Sequence, residues 1–326
     1  MGHAERVRIG LRALALLGLA LVVLSSAPVS AQTRYVIYYN SAATPLEKVA
    51  ESGFTDVILS FLTVAPHGSG PLALVVPATL ETELPKIPVI KAAGKRVLIS
   101  FGGGDMAGAA WKRLVGREAE IAGLLAEFVK SNGLDGVDID FEISEALELK
   151  RRTHAFDGVA LLVNLTKALE AALPSEALIS HVPQPPYLDP KWQGGPYLKI
   201  LEEAGAHIDW ISIQYYNNPG YESPAKRYVV GEPENPFVTA YIGLVEATIE
   251  GGWPAAKILV GKPVYKGDAT SGHMTPERVV AEIVKPLKDR YGEKFGGLMG
   301  WQYSDLTRDH RYWNDQIAPI LLPGAK

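Results

Sequence analysis

Four acidic residues stand at fixed spacing in the segment Asp135-Gly136-Val137-Asp138-Ile139-Asp140-Phe141-Glu142. Read as a β-strand, its side chains alternate between two faces. Asp138, Asp140 and Glu142 then share one face, and Val137, Ile139 and Phe141 the other. Residues two apart on a strand lie about 7 Å apart. At an effective dielectric of about 20, like charges at that distance repel by roughly 2.4 kcal/mol, or about 1.7 pKa units. At least one of the three acids is therefore expected to keep its proton near neutral pH, which is what a general acid needs. Asp135 has the opposite parity and is expected to be structural. The competing readings are a solvated edge strand and a calcium or magnesium site. The flanking Val, Ile and Phe argue against an edge, and the sequence places no further carboxylates with these three for a metal.

Other segments carry residue types suited to a ligand. Ser100-Phe101-Gly102-Gly103 puts small residues at the end of an apolar run, where backbone and ligand can approach closely. Gln214-Tyr215-Tyr216-Asn217-Asn218-Pro219 places Gln214 and Tyr216 on one face, although a tyrosine-rich core strand would read the same way. Trp301, in Gly297-Leu298-Met299-Gly300-Trp301, offers a flat aromatic surface that suits a sugar ring and also suits a core. Gly102-Gly103-Gly104-Asp105-Met106-Ala107 fits the dinucleotide fingerprint Gly-x-Gly-x-x-Ala, but no strand-end acid follows at the required distance. The nearest candidate, Glu127, sits inside a helical pattern. The histidines (His3, His67, His154, His181, His207, His273, His310) are scattered without His-x-x-x-His spacing, and no Gly-x-Ser-x-Gly elbow occurs. Metal hydrolysis and Ser-His chemistry find little support, and the histidines read as surface or satisfied loop residues.

The elements that must position these residues alternate along the chain. Short apolar runs at 34–40, 56–64, 96–101, 136–142, 177–183, 210–216, 258–264 and 298–303 are rich in Val, Ile, Leu, Phe or Tyr, and several are apolar on both parities, as strands covered on both faces should be. Helical patterns fall between them. Ile121, Leu124, Leu125, Phe128 and Val129 repeat at helical spacing and stop at Asn132-Gly133. Asp157 is a candidate N-cap ahead of Leu161, Leu162, Leu165 and Leu169, and Pro174 ends that run. Eight strands alternating with helices predict an α/β protein with a single (β/α)8 TIM barrel. A doubly wound open sheet gives a similar pattern, and the count of eight favours the barrel. In such a barrel the acids line the interior and climb to the C-terminal rim.

The chain has 326 residues, is 47% hydrophobic and 21% charged, and contains no cysteine, so its fold is held without disulfides. Arg6, Arg8 and Arg12 precede an apolar run from Ala13 to Leu24, and small residues end in Val29-Ser30-Ala31. Residues 1–31 are therefore expected to be a secretory signal peptide cleaved before Gln32, with an uncleaved anchor as the alternative. The catalytic barrel then occupies 32–326 and is secreted. Without residues 1–31 the chain carries 29 Lys+Arg against 35 Asp+Glu, a net charge of −6. No basic block with interleaved aromatics suggests nucleic acid as a partner.

The pattern Asp-x-x-Asp-x-Asp-x-Glu at Asp135, Asp138, Asp140 and Glu142 resembles the signature of family 18 glycoside hydrolases, which include chitinases. The Ser-x-Gly-Gly segment at Ser100 is similar to the motif on that family's third strand. The Gln-aromatic-Tyr-Asn segment at Gln214 resembles plant-type and related microbial chitinases. Trp301 is similar to the family's Trp at the floor of the −1 subsite, and Tyr38 and Gln184 are lesser matches. The resemblance covers most of residues 34–315, in the right order on the right strands.

It implies a retaining hydrolase of chitin or chitooligosaccharides, without metal or cofactor, acting by substrate-assisted catalysis. Glu142 would protonate the leaving oxygen, Asp140 would orient the substrate's acetamido group with help from Tyr216, and Asp138 would exchange a proton or hydrogen bond with Asp140. Tyr38, Ser100, Gly103, Gln184, Gln214, Asn217 and Trp301 would bind substrate. Many members insert a small α+β domain between strands seven and eight. Here only 265–297 intervenes, room for one helix at about 276–291, so a shallow groove cutting internally is expected. A monomer is expected. The alternatives are an endo-β-N-acetylglucosaminidase acting on N-glycans and a non-catalytic carbohydrate-binding protein on the same fold.

Overall fold

Strands that are apolar on both faces need cover on both sides, and the chain supplies it by closing its sheet. In the computed structural model, which describes residues 33–40, 44–148, 156–303 and 309–323, eight parallel strands form the sheet. They are β1 (Arg34–Tyr39), β2 (Asp56–Val64), β3 (Arg96–Gly102), β4 (Gly136–Asp140), β5 (Leu178–His181), β6 (Trp210–Gln214), β7 (Ile258–Pro263) and β8 (Gly297–Tyr303). Each pairs with its neighbour in chain order, and β1 pairs with both β2 and β8, so the sheet has no edge and the open-sheet alternative falls away. A two-residue strand at Leu74–Val75, which the sequence pattern did not announce, adds antiparallel to the end of β2.

The helices follow their sequence signals. The helix α1 (Glu118–Ser131) stops at Asn132 and Gly133, whose φ of 63° suits a residue without a Cβ. The helix α2 (Gly158–Ala172) begins at Asp157, whose side chain accepts the Ala160 N–H at 3.0 Å, and ends before Pro174. Their apolar faces, led by Ile121 and Leu125 on α1 and Leu161, Leu162, Leu165 and Leu169 on α2, are buried in the layer between barrel and helices. Among the described residues no helix is long and apolar enough to cross a membrane. The expected leader, residues 1–31, lies outside the described residues.

Inside the barrel, the lower end is closed by charge and by ring stacking. Asp56 is fully buried, 2.7 Å from Arg96 Nε and 3.3 Å from Arg34 Nη1, and the Arg34 guanidinium lies 4.1 Å from the Trp210 ring centre. Above them Val36, Ile58, Leu98, Leu259 and Met299 fill the middle. At the start of β8 the backbone of β1 approaches so closely that a Cβ on Gly297 would meet the Arg34 carbonyl oxygen at 1.8 Å. The upper end is left for polar groups. Between β7 and β8, residues 264–296 hold a short turn at Lys266–Asp268 and a helical run over 276–291, so the expected absence of an inserted domain holds.

The lower plug makes a stability prediction. Asp56→Ala leaves Arg34 and Arg96 at the barrel base without their counterion. Allowing for the partial exposure of both guanidinium groups, it should lower the unfolding free energy by about 3 kcal/mol. Urea unfolding of the two proteins checks this.

Candidate active site

Strand alternation brings Asp138 and Asp140 to the barrel interior at the upper end of β4, where Asp138 pairs in register with Ser100 and with Ser180. Three hydroxyls from three other strands converge on Asp138. Tyr38 donates to Oδ2 at 2.7 Å, Ser100 to the same oxygen at 2.8 Å, and Ser180 to Oδ1 at 2.6 Å. All four side chains are buried. Asp140, one layer higher, accepts Nε2–H of Gln214 at 3.2 Å, while the same amide also donates to the Val182 carbonyl at 3.0 Å. The ladder ends at Asp140, so Glu142 stands in the loop just beyond the strand, half-buried, and accepts Nε2–H of Gln184 at 3.0 Å.

Glycine makes room for this stack. Gly102 and Gly103 have φ of 118° and 85°, and a Cβ on Gly102 would lie 2.1 Å from the Asp140 carbonyl oxygen. The Gly103 N–H donates to that same carbonyl at 2.9 Å, and a Cβ on Gly103 would collide with the Phe61 ring. The small residues of the Ser-x-Gly-Gly segment thus let β3 and β4 approach and leave space for Phe61.

The acids open into a cleft of about 340 Å³ lined by residues that include Phe61, Asp105, Tyr216, Asn217, Asp268 and Trp301. Trp301 donates its indole N–H to the Asp268 carbonyl at 3.0 Å, which fixes the plane of the ring. Its ring centre lies 5.6 Å from that of Tyr38 and 5.8 Å from that of Phe61. Both β2 and β8 shift register beside these aromatics, between Leu59 and Leu62 and opposite Ile37 to Tyr39. Such irregularities re-aim side chains, here towards the cleft.

Burial is the largest influence on all three acids. It pushes Asp138 up to about 6 against the pull of its three hydroxyl donors. Asp140 is held well above the carboxylate range by burial, then by Glu142 and Asp138. Burial raises Glu142 too, the Gln184 donor opposes this, and Asp105 adds to it. A held proton is therefore present, but desolvation outweighs the like-charge repulsion on which the sequence reading rested. Tyr216 is pushed well up, by burial first and then by Asp140 and Glu142, so its hydroxyl stays protonated.

The sequence-picked residues separate by position. Asp140, Glu142, Gln214, Tyr216, Asn217 and Trp301 line the cleft together. Asn217 sits at φ 55°, and its side-chain oxygen accepts from the N–H and hydroxyl of Thr270. Tyr38 and Ser100 lie beneath it and hold Asp138, Gly103 packs against Phe61, and Gln184 holds Glu142. Asp135 is structural, as its parity implied, accepting the Val97 N–H at 2.8 Å and pairing with Lys91 at 2.7 Å. Phe61, Asp105 and Asp268 were missed. Phe61 lies inside the 56–64 run and Asp105 inside the Gly102–Ala107 segment, but Asp268 carries no signal in the sequence. His181 departs from expectation: it is a core residue on β5, bonded through both ring nitrogens to Thr166 and Tyr197 and held neutral by burial at about 3. Among the described residues no three metal-ligating side chains gather as a metal site.

Residues 34–315 match the family described as glycosyl hydrolases family 18. A crystal structure of a GH18 chitinase from Pseudoalteromonas aurantia is 35% identical, with a TM-score of 0.73, over 88% of this chain and all of that one. Endochitinase A of Emericella nidulans is 28% identical over 260 residues, which are 72% of this chain and 24% of that protein. The chain thus spans about a quarter of the length of the first curated relatives it matches. The fold is shared with the xylanase and α-amylase inhibitor protein of Scadoxus multiflorus (22% identity, TM-score 0.56, 89% of this chain and 98% of that one).

The buried Asp138 gives the site a pH signature. A carboxyl raised on folding means the native state binds more protons than the unfolded one, so its contribution to stability falls as pH rises from 3.8 to about 6. Asp138→Asn removes that titration. The wild type should lose on the order of 3 kcal/mol relative to the variant between pH 4 and pH 7. Urea unfolding at both pH values checks it, and a difference that does not change with pH would count against the assignment.

Proposed function

The chain belongs to glycosyl hydrolases family 18, and from that premise we propose that it is a chitinase, retaining configuration by substrate-assisted catalysis on β-1,4-linked N-acetylglucosamine polymers. The observation that carries this is the interior stack of Asp138, Asp140 and Glu142 rising into one cleft with Tyr216 and Trp301. Glu142 is the outermost acid, half-buried and raised, so it can present a proton to a glycosidic oxygen and later take one from water. Asp140 lies deeper than Glu142, and burial with two acidic neighbours favours its protonated form.

A neutral carboxyl is a poor nucleophile. That supports the reading in which the substrate's own 2-acetamido oxygen attacks the anomeric carbon and forms the oxazolinium intermediate. Asp140 then orients and stabilises the acetamido group, with the Tyr216 hydroxyl as a second contact. Asp138, beneath, exchanges a hydrogen bond or proton with Asp140. The Trp301 ring, held by Asp268, gives the sugar a floor.

With no domain inserted between β7 and β8, the wall on that side is only the short segment that carries Asp268, which favours internal cuts. Secretion accords with the expected leader. Endochitinase A of Emericella nidulans carries the same activity in its name.

Replacing the proton donor tests the chemistry. Glu142→Gln should lower the rate on chitooligosaccharides by at least roughly 10²–10⁴, and a variant with near-full turnover would sink the assignment. The product pattern tests the groove. Mixed oligomer lengths should form from the first minutes on soluble chitin, whereas processive release of dimers from chain ends would count against internal cutting. Assaying chitotetraose beside a high-mannose glycoprotein separates this activity from that of an endo-β-N-acetylglucosaminidase.

A further inference from the structure

Glu142 stands beyond the end of β4 and is approached from two sides. On one, Gln184 in the loop after β5 donates Nε2–H to Oε2 over 3.0 Å. On the other, the loop after β3 passes so near that a Cβ on Gly104 would lie 3.4 Å from Oε1. The next residue, Asp105, is exposed and lines the same cleft. We propose that Gln184 and Asp105 are positioning residues that act through Glu142 in opposite senses, the first steadying its carboxylate with a donor and the second opposing that carboxylate with a like charge. This rests on the reading of Glu142 as the proton donor.

The geometry assigns the two oxygens different tasks. Oε2 accepts from an N–H, so in the acid form the proton sits on Oε1, the oxygen beside Gly104. A Cβ at position 104 would meet that oxygen in ordinary van der Waals contact, so this loop lies against it. The directions agree with the opposed roles, since the Gln184 donor lowers the Glu142 pKa and Asp105 raises it, within a larger upward effect of burial. The other ionisable groups facing Glu142 among the described residues are Asp140, with Asp138 beneath it, and the phenols Tyr187 and Tyr216. None carries positive charge, so Gln184 is the group among them that favours the ionised form. A donor that must release a proton and regain it works best with a pKa near the operating pH, and two opposed influences allow that tuning.

The test uses the full chain, with chitotetraose as substrate, in the wild type, Gln184→Leu and Asp105→Asn. The alkaline limb of the kcat/KM profile reports loss of the Glu142 proton. In Gln184→Leu the carboxylate loses its donor, so the limb moves to higher pH. The freed carboxyl also wanders, so kcat falls by at least about 10-fold with KM changed less. In Asp105→Asn the limb moves to lower pH in low salt, and about 1 M salt largely abolishes the shift because Asp105 is exposed. Salt leaves the Gln184→Leu shift in place. Gln184→Met, which removes the donor at nearly constant size without adding charge, moves the limb upward as well and stands in should the leucine variant fail to fold.

Limbs that stay in place, or that move in the same direction in Gln184→Leu and Asp105→Asn, overturn the proposal. Titration of the Glu142 side-chain carboxyl by 13C NMR reads the same opposed shifts without substrate. A wild type that cleaves no chitooligosaccharide therefore sinks the proposed function, while the NMR shifts still decide the pair.

Discussion

Asp138 holds the upper half of the barrel together. A carboxyl this deep needs partners for its oxygens, and it takes them from β1, β3 and β5 through Tyr38, Ser100 and Ser180. Those bonds lower the cost of burial without cancelling it, so the group stays well above its ordinary pKa. The same arrangement sets the height of the layer above. Asp140 is two residues further along one strand, and its position follows from that of Asp138.

The barrel divides its labour along its axis. At the lower end Asp56, Arg34, Arg96 and the Trp210 ring close the interior with an ion cluster and a stacked guanidinium. At the upper end the strands carry acids, an amide and hydroxyls that bond to one another across strands. A parallel barrel places these upper residues among loops that can vary without touching the ladder below. The polar layer is tolerated because it is held by side-chain hydrogen bonds and because it opens to the cleft.

The cleft owes its shape to departures from regular structure. Phe61 and Trp301 come from strands whose register shifts beside them, and Gly102 and Gly103 admit the approach of β3 and β4 by adopting φ values that other residues rarely reach. Glu142 is likewise placed by the end of a ladder and not by its continuation. A side chain in a loop is positioned by its contacts, which is why the Gln184 amide on one side and the Gly104–Asp105 turn on the other matter for this residue. The inhibitor protein of Scadoxus multiflorus shares the fold, and a fold by itself does not fix a function.

Much of this was legible in the sequence, for definite reasons. Strand periodicity and hydrophobic runs report burial directly, so all eight strands, the caps at Asp157 and Asn132-Gly133, and the inward face of Asp138 and Asp140 could be read without coordinates. The parity of Asp135 also separated it correctly from the other acids. Closure of the sheet, by contrast, is a contact between β1 and β8 at opposite ends of the chain, and no local pattern encodes it. Only the tertiary structure could show that Tyr38 and Ser100 donate to Asp138, that Asp268 fixes the plane of Trp301, and that His181 is a core residue. It also reordered the cause of the held protons. Charge spacing can be counted along a strand, but desolvation depends on how many atoms the whole fold packs around a carboxyl, and that number exists only once the chain has closed around it.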